Sequence, residues 1–284
     1  MLICYNYIMK NWLINKNVVV TGASSGIGKD ITKILINKYN CFVVGVARNI
    51  DKLNDLKNSL GEHSNKFEFV SADVSKKEDW KKIKEFCNDK NITVLINNAG
   101  TMLPFTRADK VEDTDVERLF NVNFFSTIYG YKTFCEEFRK DKNCAIANIA
   151  SVAAVTSLPG TSYYSASKSA LCSFSKIIAS EERKNFFIGT YLPGMTSTNL
   201  FTNKDNKKPV FDEKTGKLFN KFSTSSEKMA KKIVKCLAKK KRFKVLGKDA
   251  KLLKFLNSLM PIKSSDLYYN VMKKTKLSSF EDIF

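Results

Sequence analysis

The chain reads as α/β, a doubly wound parallel sheet with helices on both faces, and three features predict that class. Short β-branched runs alternate with helical segments from residue 17 to about residue 190. The first run flows into a glycine-rich turn that opens a helix. Polar segments follow the strands, at the carboxyl edge where an open parallel sheet binds its ligands. With 284 residues the chain can bury a sizeable core. The reading assigns one domain over 1–250 and an amphipathic, helical C-terminal extension over 251–284.

Composition narrows the function classes. Hydrophobic and charged contents of 43% and 27% are ordinary for a globular protein. No apolar run approaches the ~20 residues that span a bilayer. The first residues carry a short apolar patch without a basic n-region or a small-residue cleavage site. They read as a cytoplasmic terminus, with Met9 as an alternative start. Seven scattered cysteines with no Cys-x-x-Cys pair argue against a disulfide framework or a zinc site and suit a reducing compartment. A single histidine, His63, excludes a histidine triad or a multi-histidine metal site. The net charge of +20 is uneven, with +14 of it in residues 201–284. Two accounts fit: solvated lysine faces, or a C-terminal surface that meets anionic lipid or an anionic substrate. The lysines lie on predicted helices with no nucleic-acid reading motif, so no nucleic-acid partner is expected.

In order, Asn17 to Val20 predicts a buried strand, and Thr21-Gly22-Ala23-Ser24-Ser25-Gly26-Ile27-Gly28 follows it into a helix reaching about Tyr39. Glycines there let a backbone approach a pyrophosphate, and the helix start offers amides and a positive dipole. Phe42 to Val46 is the second strand, followed by Ala47 and Arg48. An acid in place of Ala47 would bind the ribose hydroxyls of NAD. A guanidinium at Arg48 suits the extra 2′-phosphate of NADP, so NADP(H) is favoured over NAD(H). Ser25 stands where a second basic residue would have strengthened that choice. A helix near 50–60, a strand at 67–71, a helix near 76–89 and a strand at 93–96 continue the alternation. Two roles fit Asp73: reaching an adenine amino group with Val74 beside it, or capping the next helix. Asn97-Asn98-Ala99-Gly100 lies at the sheet's carboxyl edge. A long helix over about 113–139 holds Asn123 mid-way, a poor helix former placed to hold a water or bend the helix. A strand at 145–149, a helix to about Glu182 and a strand at 187–191 complete the set.

Ser151 stands 13 residues before Tyr164, and Lys168 follows Tyr164 by four. One helical turn separates the last two, so they share a face. A phenol titrates near pH ~10, and a nearby ammonium favours its phenolate. The layout suits moving a proton on or off a hydroxyl. Residues 199–226 are too long for a routine connection and suggest a substrate lid, with Leu200, Phe201, Phe211, Leu218, Phe219 and Phe222 lining an apolar pocket or sealing the core. A helix over 226–240 capped by Ser226 and an edge strand at 243–246 come next. Segments 249–257 and 266–276 carry apolar stripes flanked by lysines. They fit either a peripheral contact with an anionic membrane surface or packing back onto the fold.

Over roughly residues 15–250 the chain resembles the short-chain dehydrogenase/reductase family. The resemblance rests on TGASSGIG at 21–28, NNAG at 97–100, Asn123, Ser151, the Tyr164-x-x-x-Lys168 pair and Pro193-Gly194. It implies a Rossmann-type domain and hydride transfer between a nicotinamide and a carbonyl or carbinol carbon. Tyr164 would be the general acid/base, with Ser151 orienting the substrate oxygen. Lys168 would lower the tyrosine pKa and bind the nicotinamide ribose, and Asn123 would anchor a relay water. Gly22, Ser24, Ser25, Gly26, Ile27, Gly28, Asn98, Ala99 and Gly100 would line the cofactor. Pro193, Gly194, Thr196 and Thr198 would hold the carboxamide end. It further implies a small-molecule substrate, steroid- or lipid-like by a looser likeness, and a homodimer or homotetramer through the two long helices. A catalytically silent NADPH-binding regulator is the alternative.

Overall fold

The computed structural model describes residues 11–198, 200 and 209–284. Among them, seven parallel strands form one sheet in the order β3-β2-β1-β4-β5-β6-β7. These are β1 (Asn17–Thr21), β2 (Phe42–Ala47), β3 (Phe67–Ser71), β4 (Val94–Asn97), β5 (Ala145–Ile149), β6 (Phe187–Pro193) and β7 (Phe243–Leu246). β1 pairs with β2 on one side and β4 on the other, so the order reverses there. Such a reversal opens a crevice at the strands' carboxyl ends.

Alternation along β1 explains why the sheet is covered twice. Val18 and Val20 face Ile31 and Leu35 of α1 (Gly26–Tyr39) and Ile233 and Leu237 of α8 (Ser226–Ala238). Val19 faces the other way, onto Trp80 and Ile83 of α3 (Lys77–Cys87), Phe134 of α5 (Ser126–Phe138) and Ile178 of α6 (Ser162–Glu181). All three valines are fully buried. A strand with two buried faces needs a continuous apolar run, as β1 has.

The predicted elements are present with shifted ends and three physical differences. The long helix is interrupted: α4 (Asp113–Phe120) gives way to a π turn at Asn121–Phe125 before α5. There the Ser126 amide reaches back five residues to the Asn121 carbonyl. Asn123 lies in that turn, so the expected bend is realised as a π bulge. α8 is capped by Ser225, whose hydroxyl accepts from the Lys228 amide. Ser226, the expected cap, donates instead to Asp30 at 2.5 Å and ties α8 to α1. The C-terminal segments form α9 (Lys248–Leu259) and α10 (Lys263–Thr275), each longer than its stripe implied. A final 3-10 turn, Ser278–Ile283, buries Phe280 and Ile283 against the body. Phe201 and the Met9 start lie outside the described residues.

Candidate active site

One cavity of about 1140 Å³ opens at the carboxyl edge of the sheet. Gly22, Ser24, Ser25, Gly26 and Ile27 line its first wall. Gly22 and Gly26 have φ of 66° and 51°, the left-handed conformation that favours glycine. Ser25 is extended and no side chain caps α1, which leaves its first amides and dipole to an anion. Gly28 does not line the cavity, and its role is packing. A Cβ there would sit 2.2 Å from the Gly22 carbonyl oxygen and 2.4 Å from Asn98 Nδ2.

Thr21, which opens the TGASSGIG segment without an assigned role of its own, braces this wall. Its hydroxyl oxygen accepts from the Asn98 and Ala99 amides at 3.0 Å each, while Asn98 Nδ2 donates to the Thr21 carbonyl at 2.9 Å. The NNAG segment is thereby fixed against the glycine turn. Arg48 lines the cavity after β2. Lys52 joins it from the first turn of α2 (Ile50–Asn58), a helix that Asn49 caps at 2.8 Å. Lys52 has no motif, and only the capped helix start brings it beside Arg48. Asp73 and Val74 also line the cavity. Asp73 Oδ1 accepts from the Ser75 amide and hydroxyl at 3.0 and 2.7 Å. The capping alternative fails, because α3 begins at Lys77 with no side-chain cap.

Ser151, Tyr164 and Lys168 line the same cavity. Ser151 ends the segment after β5, extended, with its hydroxyl oxygen accepting from the Ala153 amide. Tyr164 and Lys168 share the buried face of α6. Burial holds the Tyr164 phenol above its usual range, and the neighbouring Ser151 hydroxyl pulls the other way. Lys168 is not among the groups acting on this phenol. Burial brings Lys168 itself down to about 8, and its Nζ donates to the Ile149 carbonyl at 3.3 Å.

Asn123 does not line the cavity. Fully buried behind it, its Oδ1 accepts from the Thr101 amide at 2.8 Å. Its Nδ2 donates to the Thr101 carbonyl at 2.9 Å and to Ser167 Oγ at 3.1 Å. Both donors are spent on holding the loop after β4 against α6. A Cβ on Gly100 would lie 3.3 Å from Asn123 Oδ1 and 3.2 Å from Lys168 Nζ, so that glycine lets the three groups crowd together.

Pro193, Gly194, Thr196 and Thr198 line the wall beyond β6. Their brace is Asp249, on the first turn of α9, whose carboxylate accepts from the Met195 amide at 2.7 Å. Cβ atoms on Gly194 and Gly247 would each fall 2.3 Å from that carboxylate. Two glycines 53 positions apart make room for one aspartate, a pairing no local pattern reveals.

The far wall is aromatic. Phe105, Phe211, Phe219 and Phe280 line it, with Phe105 and Phe211 stacked at 5.5 Å and Phe211 and Phe219 at 4.3 Å. Tyr164, Met272 and Leu277 belong to the same buried cluster. Of the expected lid residues, Leu200 and Leu218 also line the cavity, while Phe222 is 69% exposed and does not. Asp212 fastens this wall. It caps α7 (Glu213–Phe222) through the Thr215 amide at 2.9 Å. It also accepts from the Ser278 and Ser279 hydroxyls at 2.8 and 2.5 Å, binding α7 and the chain end to one carboxylate.

The family model for short chain dehydrogenase matches residues 16–209. An uncharacterised oxidoreductase of Staphylococcus saprophyticus is 32% identical over 204 residues, covering 69% of this chain and 81% of that protein. The 3-ketodihydrosphingosine reductase of Bos taurus is 29% identical over 264 residues, 87% of this chain and 76% of the relative. Among solved structures, a short-chain dehydrogenase from Sphingobium yanoikuyae in complex with NADPH superposes with a TM-score of 0.72 at 22% identity, covering 88% of this chain and 95% of that one. The fold is shared with that structure. On the family match and the order of strand, turn and helix described above, the chain belongs to the short-chain dehydrogenase/reductase family of oxidoreductases, which act on CH–OH and C=O groups.

Proposed function

We propose that the chain is an NADP(H)-dependent carbonyl reductase or alcohol dehydrogenase for an apolar, steroid- or lipid-like substrate, with Tyr164 carrying the proton. One observation supports this most: Ser151, Tyr164 and Lys168 line the same cavity as the glycine turn and as the aromatic wall. A volume of about 1140 Å³ exceeds the ~300–1,000 Å³ of an ordinary ligand pocket, as suits a cofactor and a substrate together.

The glycine turn and uncapped start of α1 fit a pyrophosphate, and the wall from Pro193 to Thr198 fits a carboxamide. When bound, the nicotinamide supplies or accepts the hydride. Ser151 holds the substrate oxygen, and Tyr164 gives that oxygen a proton in reduction or takes one in oxidation. Lys168 meets the ribose hydroxyls from the same face. Asn123 holds the Gly100–Thr101 loop beside Lys168, and a relay water at this turn belongs to the reading. Arg48, Lys52 and the start of α2 supply positive charge where a 2′-phosphate would lie, and Ala47 supplies no competing acid. The long match to a reductase named for a keto-lipid supports the substrate class. A cytoplasmic setting belongs to this reading, supported by the six described cysteines, all unpaired. So does pairing of two copies through the long helices, supported by exposed Phe125 and Ile177.

Two variants test it. Tyr164→Phe is expected to lower turnover of ketones by about 10²–10⁴ while leaving NADPH binding, read by fluorescence titration, unchanged. Turnover within tenfold of the parent would remove Tyr164 from its role. A parent that binds NADPH tightly but turns over no ketone would favour the silent regulator. Arg48→Ala is expected to weaken NADPH about tenfold relative to NADH. An unchanged ratio would sink the cofactor preference.

A further inference from the structure

Exposed apolar side chains are scattered over most of this molecule but gather at one place. Of the fourteen large hydrophobic residues that are exposed among the described residues, nine fall between Leu252 and Phe284. On α9, Leu252, Phe255 and Leu259 stand at i, i+3 and i+7, so they share one stripe. Their exposures are 58, 58 and 62%. The turn into α10 presents Ile262, 78% exposed, and α10 adds Val271 at 52%. A patch of this kind rimmed by charge marks an interaction surface.

Charge decides what it meets. Residues 248–276 hold seven lysines and two aspartates. One aspartate, Asp249, is committed to the Met195 amide. No ion pair among the described residues engages Lys251, Lys263, Lys273 or Lys274. A second copy docking here about a two-fold axis would set lysines against lysines, which disfavours self-association. An anionic phospholipid surface offers both what the apolar stripe and what the lysines need. The patch is also continuous with the cavity. Leu253, on the same helix as the stripe, lines the cavity, and Val271 both lines it and is exposed. The cavity lining therefore extends onto both helices and, at Val271, to the surface.

We propose that α9 and α10 dock on an anionic bilayer and that the bilayer delivers apolar substrate through the mouth between them into the aromatic chamber. Docking stands on the patch alone, whereas delivery rests on the apolar-substrate reading above. The full chain is mixed with vesicles of phosphatidylcholine, with or without phosphatidylserine, and floated. It is expected to rise with the anionic vesicles, and at least about tenfold less with neutral ones or in high salt. Leu252→Ser combined with Phe255→Ser and Ile262→Ser should abolish flotation. It should leave NADPH binding and turnover of a small water-soluble ketone unchanged. It should lose turnover of a long-chain ketone presented in vesicles. If the triple variant fails to fold, Lys251→Glu with Lys263→Glu asks the same question through charge alone. A parent that stays down with both vesicles, or rises equally with both, overturns docking. So does a parent that sediments as an oligomer which the triple variant dissociates. A parent that floats yet turns over only soluble ketones keeps docking and overturns delivery and the apolar-substrate reading together.

Discussion

The two halves of the cavity, which the proposed function assigns to cofactor and to substrate, are built by opposite means. The cofactor-facing half is built of backbone: strand ends, a glycine turn, amides gathered on the Thr21 hydroxyl and the Met195 amide held by Asp249. The substrate-facing half is held by side chains from distant parts of the chain, with Phe105, Phe211, Phe219 and Phe280 packed on one another and Asp212 fastening the lid helix to the chain end. Backbone geometry tolerates almost no change in side chain, while an aromatic wall can be recast by substitution and stay a wall. The first half suits a ligand that never changes. The second suits one that differs between relatives.

The largest expected effect tests the rigid half. Gly28→Ala places a Cβ 2.2 Å from the Gly22 carbonyl oxygen, a backbone atom that cannot swing aside. Overpacking of this kind costs about 1–3 kcal/mol, and relief requires the turn itself to move. Denaturant unfolding should show that loss, and NADPH affinity should fall by more than about tenfold. Parent-like affinity would mean that the turn is not fixed by its contact with α1, and the contrast between the halves would fail.

Legibility in the sequence followed the same division. β1, the turn and α1 were readable because each is local: a valine run, glycines at fixed spacing, and a 3.6-residue period. Tyr164 and Lys168 were readable because one helical turn joins them. The turn's internal logic was less so. Gly28 looks like its neighbours in the motif but serves packing, and Thr21 carries the brace without standing out. The substrate half was hidden for a plainer reason. Nothing in the sequence around Phe105 announces Phe280, and nothing near Asp212 announces Ser278 and Ser279. Asp249 was legible as a helix start, but its partner, the Met195 amide, lies 54 residues away. What acts on the Tyr164 phenol was less legible, because spacing reveals a neighbouring lysine but not how deeply both groups are buried.

A middle-sized effect probes the fastening of the substrate half. Asp212→Ala removes the α7 cap together with the bonds from Ser278 and Ser279. The expected cost is about 1–3 kcal/mol of stability. The KM of an apolar ketone should rise several-fold, while NADPH affinity stays at the parent value. Hydrogen bonds from Ser279 and Thr215 hold this carboxyl well below the usual range. A depressed folded pKa contributes stability above the unfolded value of about 3.9 and loses it as pH falls toward the folded one. The gap between parent and variant should therefore be flat through neutral pH and close only in strong acid. A fall in NADPH affinity would show the two halves to be mechanically coupled.

The smallest expected effect has the opposite sign and comes from a glycine in the lid. Gly216 lies within α7, and the nearest neighbour a Cβ would meet is the Phe211 Cβ at 4.0 Å, an ordinary contact. Its amide donates to the Asp212 carbonyl as in any helix. Alanine is better than glycine inside a helix by roughly 0.5–1 kcal/mol, so Gly216→Ala should raise the unfolding midpoint slightly. The same substitution, glycine to alanine, thus breaks one half of the cavity and firms the other. Turnover decides what the lid glycine is for. Unchanged kcat with raised stability means that α7 acts as a wall, held by Asp212. Raised stability with slower turnover means that α7 must loosen for substrate to enter or product to leave, and that glycine at position 216 sets how readily it does.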